Sequence, residues 1–154
     1  MTTSSKITSH HRDLDRLVGQ WQGTEIVRES PDAKPVHATG RFDIRPILQG
    51  TFVALDWVEQ SKDATLMEGH GVIGWDAKAK EYTLHWFDTF GSPPRGVNTG
   101  VWDGNKLTFV TKAETHEGKT TLIHTSDTEL AFMVEMKIEG SWLTVIDGRY
   151  KRNQ

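Results

Sequence analysis

The spacing of apolar residues changes once along the chain, close to Gly19. Before this point Leu14, Leu17 and Val18 recur at helical spacing, and Ser9 stands where it can cap a short helix. After it, apolar and polar residues alternate, and turn-forming residues recur about every eight to twelve positions. The pattern therefore predicts one short helix followed only by β-strands.

Ten strands fit the alternating part of the chain. Their predicted bounds are 20–29, 36–45, 51–60, 65–75, 81–89, 97–103, 106–113, 119–125, 129–138 and 141–150. The connections contain turn-forming pairs such as Asp103-Gly104 and Glu139-Gly140. We expect an all-β, closed antiparallel up-and-down barrel with the helix across one end. The stiffer connection at 91–96 is predicted to form a lip over the other end.

Hairpin register sorts the strand residues into two faces, because a slip of one residue exchanges the faces. The predicted pairing brings glycines of the fourth strand opposite Trp57 and Trp86. The interior is then predicted to contain Val53, Leu55, Trp57, Met67, Ile73, Trp75, Tyr82, Leu84 and Trp86. The last strand is predicted to turn Leu143, Val145, Asp147 and Arg149 inward.

Composition limits the classes of function. The 154 residues fit a single domain, 1–154, with 1–8 as a disordered tail. Lys and Arg are scattered and the net charge is only −3, so we expect no nucleic-acid partner. With no cysteine, no signal peptide and no apolar stretch of membrane-spanning length, we expect a cytoplasmic protein without a membrane partner.

Four segments in this order resemble the bacterial lipocalin-like (calycin) family of unknown function, whose entry motif is Gly-x-Trp. They are Leu17–Trp21, Ile47–Gly50, Glu68–Asp76 and Trp86–Asp88. The resemblance runs from about Leu14 to Tyr150 and implies a closed lipocalin-like barrel, but it implies no ligand and no catalytic residue. In lipocalins the entry Trp packs against a basic residue of the last strand. Arg149 has the matching position, so it is expected to pack over Trp21 and close the barrel.

Seven histidines raise the question of a metal or haem site. His70 is predicted to lie on the outer face opposite Asp56, with Glu68 as the only further ligand nearby. A metal needs three or four convergent ligands, and a haem barrel needs an inward histidine near the last strands. The sequence therefore predicts neither a metal nor a cofactor.

A ligand site is predicted at the open end of the lumen, where two indoles supply broad apolar contact and a few polar groups fix orientation. The residues predicted to line it are Trp57, Trp86, Asp88, Asn98 and Thr111, with Phe90 and Arg95 on the lip. The expected partner is a small apolar or aromatic molecule.

Two alternatives stay open. In the first, Asp88 is the acid–base group of a cofactor-free isomerase, cyclase or hydrolase. Catalysis needs a second convergent group, for which only Asn98 and Thr111 are candidates, so binding is favoured over an enzyme. In the second, apolar residues on the outer face form a homodimer interface around a filled lumen. These outer residues are Phe52, Val58, Val72, Phe87, Met133, Trp142 and Ile146.

Overall fold

The fold begins with two short helical turns that close one end of a barrel. A computed structural model describes residues 7–94, 96–112 and 117–154. Helix α1 (Ser9–Asp13) is followed by a 3₁₀ turn, Leu14–Leu17. The residue that caps α1 is Thr8 and not Ser9 as predicted, and its backbone N–H donates to Nδ1 of His11 at 3.0 Å. Leu14 and Leu17 are fully buried, so this segment plugs the barrel.

Ten antiparallel strands follow and form one closed barrel. They are β1 (Gly19–Val27), β2 (Val36–Ile47), β3 (Phe52–Gln60), β4 (Thr65–Asp76), β5 (Glu81–Asp88), β6 (Asn98–Asp103), β7 (Lys106–Lys112), β8 (Glu117–Ser126), β9 (Glu129–Ile138) and β10 (Ser141–Arg152). Each strand pairs with its neighbours in sequence, and β1 pairs with β10 to complete the circle. The predicted up-and-down barrel with its short helix is confirmed. No helix among the described residues is long and apolar enough to cross a membrane.

The predicted register of β3, β4 and β5 is confirmed. Trp57 lies opposite Gly69, and Trp86 lies opposite Gly71. The inward residues of these strands join a core that continues around the barrel through the other strands. Its members include Phe42, Ile44, Val53, Leu55, Ile73, Tyr82, Leu84, Leu107, Phe109, Leu122 and Phe132.

The predicted inner face of β10 is wrong beyond Val145, which itself packs against the core. The pairing of β10 with β9 shifts between Thr144 and Ile146, which leaves Val145 as a bulge residue. One extra residue in a strand reverses every face that follows it. Ile146 and Tyr150 are therefore buried, whereas Arg149, predicted to face inward, has a side chain that is 70% exposed.

The closing residue is consequently Arg152 and not Arg149. The guanidinium of Arg152 lies 4.2 Å from the centre of the Trp21 ring. It donates hydrogen bonds to the carbonyl of Val18 and, at 2.8 Å, to that of Asp127. Arg149 instead contacts Asp147 on the outer surface at 3.4 Å. The expected arrangement of a basic residue over the entry tryptophan is thus present, three positions further along the chain.

The helical segment is tied to the same end of the barrel by further contacts. The indole of Trp21 donates to the carbonyl of Leu17 at 2.9 Å, and the Tyr82 hydroxyl donates to that of His10 at 2.7 Å. The His10 ring also stacks on Trp75 with 3.9 Å between ring centres. This end of the barrel is sealed.

Candidate functional site

The inward side chains form a gradient of burial along the barrel. Those near the helical segment, such as Ile44 and Leu107, are at most 1% exposed. Inward side chains near the opposite end are only partly buried: Met67, Trp86, Asp88, Asn98, Thr111, Thr120, Val134, Met136 and Leu143. Solvent reaches these nine side chains although their register points them into the lumen. These nine residues surround the end of the barrel opposite the helix, and we call this end the cup.

Trp86 belongs to the cup, and Trp57 is buried in the core beside it. The indole of Trp86 packs directly on the backbone of β4 at Gly71. A Cβ at this position would stand only 2.9 Å from Cε3 of Trp86, so the glycine makes room for the ring. Trp57 is 2% exposed, and its ring centre lies 6.0 Å from that of Trp86. The structure thus brings together the two indoles that were predicted to face inward. Their role in binding stays a prediction.

Asp88 is held at the mouth by local hydrogen bonds. Its Oδ2 accepts from the indole N–H of Trp86 at 3.1 Å, and its Oδ1 accepts from the backbone N–H of Phe90 at 3.0 Å. The side chain of Phe90 is 78% exposed and lies at the rim. Arg95, the other predicted lip residue, lies outside the described residues. Asp88 is therefore positioned more as an anchor for the rim than as a free base.

Asn98 and Thr111 lie on β6 and β7 and bind each other. The hydroxyl of Thr111 donates to Oδ1 of Asn98, and the Asn98 amide donates to the carbonyl of Leu84 at 3.4 Å. Both side chains remain partly exposed. This pair links β5, β6 and β7 at the mouth of the cup and can still accept a hydrogen bond from a ligand.

A buried polar cluster that the sequence reasoning missed lies beside Trp57. It consists of Glu25, Glu59, Tyr150 and Trp57, which we call the carboxyl cluster; Glu25 is 1% exposed and Glu59 is 3% exposed. The indole N–H of Trp57 points at Oε2 of Glu25 (3.2 Å) and at the hydroxyl of Tyr150 (3.3 Å). The Tyr150 hydroxyl itself donates to Oε2 of Glu25. One carboxylate oxygen thus receives two donors.

The cluster retains a proton near neutral pH. Burial, and then the hydrogen bond and charge of Glu25, raise the pKa of Glu59 to about 8. Burial and the charge of Glu25 also raise the pKa of Tyr150. Oε1 of Glu25 and Oε2 of Glu59 are buried and accept no hydrogen bond from the described residues. A proton on Glu59 supplies the donor that this pair of carboxyls otherwise lacks.

The alternation itself carried a signal for part of this cluster. Glu59 continues the inward series of Val53, Leu55 and Trp57 on β3. On β1, Glu25 follows Trp21 at period-two spacing and therefore faces the same side of the strand. Gly40 completes the signal, because a Cβ there would stand 3.0 Å from Cδ of Glu25. Two glutamates at inward positions were thus readable from period-two spacing, but their proximity depends on the closure of β1 onto β10.

The outer face carries the polar pair that the register predicted. Asp56 lies opposite His70, their side chains are 2.6 Å apart, and Arg45 reaches the same carboxylate at 2.5 Å. Burial by itself raises the pKa of Asp56, but the hydrogen bonds from His70 and Arg45 outweigh it, so this pKa lies below its ordinary value. No group of three potential metal ligands is found among the described residues.

Comparisons with known proteins agree on the fold. The S-type phycobiliprotein lyase CPES from Guillardia theta is 10% identical, with a TM-score of 0.70 over 97% of this chain and 94% of that protein. Rv2717c from M. tuberculosis is 14% identical, with a TM-score of 0.64 over 97% of this chain and 100% of that protein. A search of curated proteins finds no match. A family model described as "Protein of unknown function (DUF1579)" matches residues 6–152.

Proposed function

This chain belongs to the DUF1579 family of proteins of unknown function, and we propose that it binds a small apolar or aromatic molecule in the cup of its barrel. The observation that carries the proposal is the partial exposure of inward side chains at one end only. Trp86, Met67, Val134, Met136 and Leu143 are apolar groups of the cup that remain partly exposed although they face the lumen. Concave and mostly apolar walls with a few polar groups are typical of ligand sites.

The free energy that a ligand gains by filling the cup depends on the apolar surface area that it covers. Covering about 100 Å² of apolar wall is worth about 2.5 kcal/mol at the usual coefficient. The indole of Trp86 offers this area without loss of rotamer freedom, because Gly69, Gly71 and Asp88 already hold it in place. Asn98 and Thr111 provide the polar groups that orient a ligand.

The two alternatives predict different contacts. The enzyme alternative is supported only by the name of the similarly folded phycobiliprotein lyase. However, both oxygens of Asp88 already accept hydrogen bonds from the protein, which favours an anchoring role over that of a free base. A homodimer formed through the exposed Phe52, Phe87 and Trp142 remains compatible with ligand binding.

A titration with 2-naphthylmethanol, a neutral aromatic probe, tests the proposal. Isothermal calorimetry should show saturable binding, and Trp86→Ala should weaken it by about tenfold, which corresponds to about 1.4 kcal/mol. Trp142→Ala is the matched control, since Trp142 lies on the outer face. The absence of saturable binding, or an equal loss in both variants, contradicts a site in the cup.

A further inference from the structure

The carboxyl cluster borders the cup. Glu59 is the last inward residue of β3 and lies directly opposite Met67, which is one of the cup residues. Side chains at directly opposite positions have Cβ atoms about 5 Å apart. Trp57 belongs to the cluster through its N–H and contacts Trp86 through its ring. The carboxyl cluster and the cup are thus neighbours, joined by the cross-strand pair of Glu59 and the flexible Met67.

The polar atoms of the cluster are incompletely satisfied. Oε2 of Glu25 accepts from Tyr150 and Trp57, but Oε1 of Glu25 and Oε2 of Glu59 accept from none of the described residues. Buried carboxylate oxygens without donors are costly, and each one in a native protein requires an explanation. A proton on Glu59 satisfies this pair only while it is bound, whereas an apolar pair at these positions would avoid the cost at every pH.

We infer that the carboxyl cluster anchors a ligand that carries a protonated nitrogen on an aromatic or apolar body. This inference rests on the proposed function and names the ligand class. The N–H groups of the cation donate to Oε1 of Glu25 and Oε2 of Glu59, while its apolar part lies against Trp86. The cation takes the place of the proton on Glu59, which is released to solvent, so that charge is conserved in the exchange.

The surroundings of Glu59 favour a cation over a neutral donor. The titratable groups facing it are Glu25 from β1 and Tyr150 from β10. The neighbouring strands present Gly40 and Met67, which carry no charge. Because the pKa of Glu59 is about 8, the pair holds one proton and one negative charge at pH 7. The nearby indole faces of Trp57 and Trp86 also attract cations.

Three probes with the same ring separate this inference from the proposed function. They are 2-naphthylmethylamine, 2-naphthylmethanol and 2-naphthoate, which are cationic, neutral and anionic at pH 7. Calorimetry in two buffers with different ionisation enthalpies measures the protons released. We expect the amine to bind about tenfold more tightly than the alcohol and to release close to one proton, with naphthoate the weakest.

Variants assign the proton to its residue. Glu59→Gln should abolish proton release and weaken the amine severalfold while leaving the alcohol unchanged. Glu129→Gln, an exposed glutamate at the sealed end, should behave as the wild type does. Asp88→Asn should preserve both the preference for the amine and the proton release.

The outcomes that contradict the cation anchor differ from those that contradict ligand binding in the cup. Equal binding of amine and alcohol, or amine binding without proton release, overturns the anchor and leaves the cup intact. Loss of the amine preference in Asp88→Asn alone assigns the anchor to the rim and also overturns the inference. Failure of all three probes to bind overturns both the inference and the proposed function.

Discussion

A single arginine connects three parts of the sealed end. Arg152 stacks on Trp21 in β1, and it donates to the carbonyls of Val18 after the 3₁₀ turn and of Asp127 between β8 and β9. Replacing it with alanine removes the cation–π contact and leaves these carbonyls without the donor. We expect Arg152→Ala to lower the free energy of unfolding by about 1–3 kcal/mol, as measured by urea denaturation.

Arg149 provides the control for this prediction, because it is the same residue type on the same strand. Its side chain is 70% exposed and contacts Asp147 at the surface. Arg149→Ala should change the free energy of unfolding by less than about 0.5 kcal/mol. If Arg149→Ala proves as costly as Arg152→Ala, the assignment of Arg152 as the closing residue is wrong.

Glu59 makes stability depend on pH in an unusual direction. Its pKa rises from an ordinary 4.5 to about 8 on folding, so the native state holds a proton that the unfolded state has lost between these values. Stability therefore falls as pH rises through this window. Glu59→Gln cannot ionise, and it should become more stable than the wild type as pH increases, by about 1–3 kcal/mol at pH 8.

Urea denaturation at pH 5 and pH 8 checks the Glu59 prediction. Glu129→Gln, in which the substituted side chain is exposed, should follow the wild type at both values. A stability difference between Glu59→Gln and the wild type that is equal at pH 5 and pH 8 would show that Glu59 is already ionised in the native state.

At the scale of strands, local pattern predicted most of the barrel. The turns around 61–64 and 77–80 and the period-two spacing determine how β3, β4 and β5 pair, so the inward positions of Trp57 and Trp86 followed from sequence. The prediction failed where one strand contains an extra residue. The bulge falls in the apolar pair Val145-Ile146, where either residue can continue the inward series, and it reversed the faces of Ile146 and Arg149.

The carboxyl cluster was missed for a related reason. Its members come from β1, β3 and β10, and β1 meets β10 only when the barrel closes. Spacing within a strand predicts which way a side chain points, but not which distant strand it meets. The predicted register also turned Arg149 inward, whereas the structure buries Tyr150. Local alternation thus identifies a barrel with an aromatic wall, whereas its polar site depends on long-range closure.

At the scale of the whole molecule, the weakest seam of the barrel lies beside the cup. β5 and β6 share three residue pairs, from Tyr82↔Gly100 to Leu84↔Asn98, whereas β9 and β10 share ten. The C-terminal half of β5, which carries Trp86 and Asp88, lies beyond its paired segment with β6. Few backbone hydrogen bonds and partial solvent exposure are the conditions under which a region opens without global unfolding.

Native-state hydrogen exchange should therefore show that the barrel opens first at this seam. We expect the amides that pair β5 with β6 to exchange with a free energy below that of global unfolding, while those of β9 and β10 exchange only with global unfolding. If the cup binds 2-naphthylmethanol, saturation with this probe should slow exchange at the seam, because Trp86 and Asn98 lie on its two sides. Uniform protection around the barrel would contradict a weak seam between β5 and β6.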